Sequence, residues 1–339
     1  MFNKAYESEP LPLTIPREVY KRGDMNYIPV FVKTENRIEL KDVVDYIADE
    51  DKRTKAQLQS GEWVNILPAN KLKLQIDSAA VVNSGTVKAK DAHKIVKQID
   101  WKVTQNGLVR NDIMLLDIIA SNNWERPIYF ANPNAVSKVL NVDKYCHLEG
   151  VVYRFKPTVA INYNKRLGGV DPDRAYETLM ADDVRWGRLN EDDVVVDRES
   201  ERTSGMMKQN YSLLARTLTD LHKYDSAIKV MDRGIYFFPN NKFPFDHGML
   251  SWADNYYRAG AVEKGNEVVR QLLERYVEDL RYYDTLENQR FITYYQDDIQ
   301  LSLQILQSLS QLTRMHKQTE LAEEIDAVFY QEIEKFDVR

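Results

Sequence analysis

Residues 111–131 read NDIMLLDIIASNNWERPIYFA. In the first half, Ile113, Met114, Leu115, Leu116, Ile118 and Ile119 cover nearly the whole circumference of a helix around one acidic residue, Asp117. A helix that is apolar almost all round is packed on most of its sides. Asn111 or Asp112 can cap its first turn, where free N–H groups need an acceptor. Asn122-Asn123 stop the helix. Pro127 then opens a short apolar run, 127–131, at a position where a missing N–H is tolerated. With the β-like run at 99–104, this reads as strand, helix, strand, the pattern of a βαβ unit.

The alternation extends to both sides. β-like runs fall at 27–33, 71–77 and 150–157, and helical runs at 39–49, 92–97 and 135–140. This predicts an α/β domain with a small mixed sheet over residues 1–165. Residues 166–204 read as a linker and the start of a helical region, with Gly168-Gly169 as a flexible connection. From 205 to 339 apolar residues recur at helical spacing, which predicts an all-α domain.

Within that half, Tyr211, Leu214, Ala215 and Leu218 form one helical face, Ala227, Met231 and Gly234 the next, and Pro239 closes the unit. This is the spacing of a tetratricopeptide (TPR) repeat of ~34 residues. Ala215 and Ala227 are small where two helices cross closely. A second unit places Trp252, Ala253, Tyr256, Gly260 and Gly265 at matching positions, with Val277 where the closing proline belongs. A third centres on Leu306, Leu309 and Ala322. The expected architecture is a TPR-like superhelix, with a plain helical bundle as the alternative. Tyr236, Phe237, Phe238, Tyr256, Tyr257, Tyr282 and Tyr283 could line its concave face, although most such aromatics belong to the core.

The chain's 339 residues, 43% hydrophobic and 29% charged, suit two globular domains. The net charge of −6 argues against nucleic acid as a partner. No apolar run approaches the ~18 residues that span a bilayer. The start, MFNKAYESEPLPLTIPREVY, lacks the apolar core of a signal peptide, and its Pro-rich, extended character is expected of a segment from a longer protein. Cys146 is the sole cysteine, so no internal disulfide forms.

Motifs for common chemistry are missing. The five histidines show no metal spacing, so neither a metal nor a cofactor is expected. No glycine-rich phosphate loop follows a strand, and no GxSxG is present. The acidic runs Asp182-Asp183 and 191–193 lack the ligand order of a calcium loop. Asp112, Asp117 and Glu149 lie in the most apolar part of the chain, where burial could suit them to general acid work. The plainer expectation is that they pair with Arg110, Arg126 and Arg154.

Three stretches together resemble a known family. They are Arg110–Ile118, Asn122–Ala131 and Leu148–Arg154. The family is the C-terminal soluble region of bacterial multi-pass membrane glycosyltransferases of the GT-C type, similar to protein O-mannosyltransferases. The resemblance implies an extracytoplasmic accessory domain on the periplasmic face of the inner membrane, without catalysis of its own. Its implied partners are an acceptor protein or peptide, a glycan, and the membrane domain of the parent chain. The expected pocket lies at the carboxyl ends of the strands. It uses Asn132 and Asn134, with Trp124, Arg126, Tyr129, Glu149 and Arg154 nearby; Trp and Tyr would stack on a ligand while Arg and Glu orient it. Two other readings are a free-standing TPR adaptor and a hydrolase using Asp112, Asp117 and Glu149.

Overall fold

The computed structural model describes residues 11–132, 142–164, 168–286 and 293–337. Asn134 and the helical run expected at 135–140 lie outside the described residues. The chain forms two compact units, Met1–Asp171 and Pro172–Arg339.

The first unit combines short helices with short strands. Its helices are α1 (Arg17–Tyr20), α2 (Leu40–Ala48), α3 (Ser78–Asn83) and α4 (Arg110–Ser121). Strands β2 (Ile38–Glu39), β5 (Lys71–Gln75) and β6 (Gln98–Lys102) form one sheet, in which β2 and β5 are parallel and β5 and β6 antiparallel. Strands β1 (Tyr27–Pro29) and β7 (Gly107–Val109) pair as a ribbon, as do β3 (Lys55–Gln57) and β4 (Trp63–Asn65). A five-stranded sheet has the order β11-β12-β9-β10-β8, from β8 (Tyr129–Phe130), β9 (Cys146–Leu148), β10 (Tyr153–Phe155), β11 (Ile161–Asn164) and β12 (Gly168–Val170). The mixed α/β character expected from the sequence is therefore present, spread over several small sheets.

The expected βαβ unit is not formed. β6 and β8 flank α4 in sequence but lie in different sheets, and β7 intervenes. β8 has two residues, too few to dictate a crossover by its own pattern. Gly168-Gly169 is not a flexible linker either. It is buried strand β12, packed so closely that a Cβ on Gly169 would stand 2.5 Å from the Ile161 carbonyl oxygen.

α4 is the centre of this unit. It packs against α2, and its Ile113, Leu116 and Ile119 join Leu40, Val43 and Ile47 of α2 in a core that also takes Trp101, Trp124 and Phe155. Met114, Leu115 and Ala120 are partly buried against the same core, which accounts for the nearly all-round apolar pattern. The helix starts directly after β7, and the Asp112 carboxylate reaches back to accept from the Val109 N–H at 3.1 Å.

The second unit is helical: α5 (Pro172–Leu179), α6 (Arg198–Asp220), α7 (Tyr224–Phe237), α8 (Leu250–Arg258), α9 (Val262–Asp284), α10 (Gln296–Met315) and α11 (Thr319–Asp337). α6 packs on α7, α8 on α9 and α10 on α11, while α6 meets α8 and α9 meets α10. The three hairpins share one turn. His222, Gly260 and Lys317 each adopt positive φ, at 58°, 83° and 62°, two residues before the second helix. In each, the next residue's N–H returns to a carbonyl five residues back: Lys223 to Leu218, Ala261 to Tyr256 and Gln318 to Thr313. The fourth residue of each second helix is small, Ala227, Gly265 or Ala322, as the sequence spacing requires. Of the aromatic residues proposed for a concave face, Phe238, Tyr256 and Tyr257 are core, whereas Tyr236 and Tyr282 are exposed.

Close packing of the first two hairpins depends on Gly234. A Cβ there would stand 2.5 Å from Trp252 Cη2 and 3.1 Å from Tyr211 Cγ. Gly234→Ala is expected to cost about 1–3 kcal/mol of stability through overpacking. Gly205→Ala, at a helical glycine with nothing within 4 Å of the added carbon, should instead gain up to ~1 kcal/mol. Urea denaturation of the two variants checks the contrast.

Candidate functional site

The five-stranded sheet assembles a polar cluster by its register. Arg154 on β10 faces Tyr129 on β8 and His147 on β9. β12 runs parallel to β9, with Gly169 beside His147. Directly opposed residues share a face, as do residues two apart along a strand. One face thus carries Tyr129, His147 and Arg154, followed by Glu149, Lys156 and Asp171. The other carries Phe130 and Phe155. Phe155 stacks on Trp124 at 5.4 Å and meets Phe130 edge-on at 6.4 Å.

Lys156 is the hub of the cluster. Its Nζ lies 2.5 Å from Glu149 Oε1 and 2.6 Å from Asp171 Oδ2. The Lys156 and Glu149 side chains are only 8% and 9% exposed, so this pair is shielded from solvent. Tyr129 donates its hydroxyl to Glu149 Oε2 at 3.3 Å, while the residue remains 45% exposed. The Arg154 guanidinium sits 5.9 Å from the centre of the Tyr129 ring. Among the described residues its guanidinium makes a long contact to Thr86 Oγ1 at 3.5 Å, and its buried Nε has no acceptor. The expectation that Arg154 pairs with a carboxylate is thereby corrected: Lys156, two residues on, takes Glu149 instead.

His147 is buried behind this group. Its Nε2 lies 2.8 Å from the Thr158 carbonyl oxygen and 3.1 Å from Thr158 Oγ1, so the ring is held with Nε2 as donor. Burial, helped by the Lys156 charge, pushes its pKa down to about 4. Between pH 4 and the unfolded value near 6.5, the unfolded chain binds a proton that the folded chain refuses. Stability should therefore fall as pH drops through that window, by at most about 3 kcal/mol for this residue. His147→Gln, which keeps a donor but cannot titrate, should remove this part of the slope in urea denaturation at pH 7 and pH 4.5.

The other expected site residues go elsewhere. Trp124 is buried in the core, where it cannot stack on a ligand. It follows Asn123 in the left-handed region, at φ 64° and 42°, and the loop is closed by Asn122, whose amide donates to the Arg126 carbonyl oxygen at 2.7 Å. The Asn122–Arg126 stretch is thus a helix-to-strand junction. Arg126 is exposed on it, and Asn132 is exposed after β8. The structure gathers Tyr129, Glu149 and Arg154, and adds Lys156, His147 and Asp171, which sequence reasoning missed. Lys156 had a usable signal, two residues from Arg154 on the same strand parity; Asp171 had none, because it arrives by parallel pairing.

The carboxylates considered for hydrolysis are engaged separately. Asp112 caps α4, and Glu149 binds Lys156. Asp117 accepts from the Thr14 and Ile15 backbone N–H groups, Tyr20 Oη and Ser121 Oγ, at 2.8–3.0 Å. Arg110 turns to the Arg22 carbonyl oxygen and Asn26 Oδ1, not to an acid. Among the described residues no group of His, Cys, Asp and Glu is arranged to hold a metal. No described helix is long and apolar enough to cross a membrane.

A small α/β unit with a polar cluster on one sheet face, joined in sequence to helical hairpins, is the class defined by this fold and site. The chain belongs to the family described as TMEM260-associated domain 2, whose model matches residues 1–174. No curated protein and no solved structure matches the chain. The family match overturns the resemblance to the soluble region of GT-C glycosyltransferases. All three stretches that carried that resemblance fall inside the matched domain. In the fold they form a helix start, a helix-to-strand junction and a β-hairpin, so they record local architecture.

Proposed function

We propose that the first unit is a non-catalytic recognition module whose Tyr129–Arg154 face binds a glycan or a peptide segment of a partner protein. The observation that carries this reading is Arg154: a half-buried cation with an unfilled Nε–H, set against an exposed aromatic ring. A ring or peptide plane stacked on Tyr129 would bring acceptors to that guanidinium, while Glu149, bound to Lys156 and to the Tyr129 hydroxyl, holds the aromatic ring in place. The separate engagement of Asp112, Asp117 and Glu149 supports recognition over hydrolysis.

The three equivalent hairpins support reading the second unit as tetratricopeptide-like repeats, an architecture that serves as an interaction scaffold. An extracytoplasmic setting beside a membrane-embedded partner belongs to the same proposal. Reporter fusions that are active on only one side of the membrane check the setting.

Titration of the full chain with glycan and peptide panels, followed by NMR, tests the recognition face. Tyr129→Ala should weaken binding about tenfold, in line with the loss of an exposed aromatic contact. Unchanged affinity in that variant, or no binding from either panel at millimolar concentration, would rule the face out.

A further inference from the structure

The second unit buries a cation that pairs with no carboxylate among the described residues. Lys208 on α6 is 8% exposed. Its Nζ donates to the Phe243 carbonyl oxygen at 3.3 Å and lies 5.9 Å from the centre of the Phe245 ring. Asp246 and Glu201 act on it only as more distant charges, and Arg275 opposes them. An ammonium carries three donors, so N–H directions remain unfilled. Burying an ammonium without a paired carboxylate is strongly unfavourable. Burial accordingly holds the Lys208 pKa below the usual lysine value.

The same residue lines an open cleft of about 650 Å³, within the size range of ligand sites. Phe243 and Pro244 form an apolar stretch of its wall, and Arg198 and Arg202 add positive charge. Glu199, Glu201 and Asp246 also line it. Two of the five charges flanking Lys208 are already occupied with each other, since Arg202 pairs with Glu199 at 3.4 Å. Asp246 accepts from the Gly248 N–H and caps the following turn. With Lys208 counted, three bases and three acids line the cleft, so one carboxylate placed on Lys208 meets less repulsion from the acids than a multiply charged anion such as phosphate would.

We propose that this cleft binds a peptide through a single carboxylate, which pairs with Lys208 while a neighbouring apolar side chain lies on Phe243 and Pro244. The site is independent of the Tyr129 face and does not rest on that reading. The carboxylate can come from a chain terminus or from an acidic side chain, and different probes separate these sources.

The experiment is an NMR titration of the full chain with four probes: acetyl-Ala-Phe-Leu as the free acid, the same peptide amidated, the amide of acetyl-Ala-Phe-Glu-Leu, and inorganic phosphate. At least one carboxylate peptide should shift the resonances of residues around the cleft, with the neutral amide binding about tenfold more weakly. The free acid responding alone assigns a chain terminus; the glutamate peptide responding alone assigns a side chain. Lys208→Met should lose the carboxylate preference, and Lys208→Arg should retain part of it. If Lys208→Met does not fold, the acid–amide comparison on the unaltered chain decides together with Lys208→Arg. Absence of binding by both carboxylate peptides at millimolar concentration overturns the proposal. So does equal binding of acid and amide, an unaltered carboxylate preference in folded Lys208→Met, or phosphate competing as well as the peptides.

Discussion

Asp117→Ala is expected to lower the unfolding free energy by about 3–5 kcal/mol, the range seen when one partner of a buried charged contact is removed. The carboxylate is fully buried and gathers donors from three places: the Thr14 and Ile15 backbone, the Tyr20 hydroxyl and Ser121 on its own helix. Alanine leaves two backbone N–H groups and a phenol without an acceptor in the interior, and each such loss costs about 1–3 kcal/mol. The 14–20 segment is otherwise held mainly by Ile15, Val19 and Tyr20 in the core. The damage should therefore appear first as faster proteolysis of that segment and then as a lower urea midpoint. A loss below about 1 kcal/mol would mean that water replaces the carboxylate, and that Asp117 does not anchor the 14–20 segment.

Lys156→Ala is the second large effect, again about 3–5 kcal/mol. Its ammonium is the shared counterion of Glu149 and Asp171, at 2.5 and 2.6 Å. Without it, Glu149, 9% exposed, loses the ammonium that stands 2.5 Å away, in a setting shielded from solvent. The loss should be largely recovered when Glu149→Gln and Asp171→Asn are added, because the cost arises from unpaired charge and not from the missing side-chain volume. A triple variant as unstable as Lys156→Ala would assign the effect to packing. The Lys156 charge also helps to depress the His147 pKa. In Lys156→Ala that pKa should move upward, which an NMR titration of the imidazole reads independently of stability.

The helical elements were legible because their signals are local. Tyr211, Leu214, Ala215 and Leu218 repeat at helical spacing within one segment, and all are buried as that spacing predicts. Ala227, Gly265 and Ala322 are small because a partner helix crosses there, and each marks the same position in its hairpin. The candidate site was legible only in part. Tyr129, Glu149 and Arg154 do come together, but the tryptophan assigned to the pocket belongs to the core, where its large apolar surface is best satisfied. A Trp beside Arg and Asn has the same local appearance in a binding loop and in a buried junction. Its environment is set by Phe155, which comes from strand β10, about thirty residues further on.

By itself, the sequence determined that the chain has a mixed α/β half and a helical half, the approximate extent of α4, and which residues of the 211–218 and 227–234 helical faces are buried. These follow from periodicity, caps and breakers that act over a few residues. Only the tertiary structure decided which strands meet. Strands of two to five residues carry too little pattern to choose a partner, so β6 and β8 went to separate sheets and Gly168–Val170 was claimed by β9. It also decided which charge meets which. Asp117 finds the Thr14 N–H across 103 residues of chain, and Lys156 finds Asp171 through a parallel pairing. A buried charge is stabilised by whatever donor the fold delivers within reach, and no local spacing encodes that delivery.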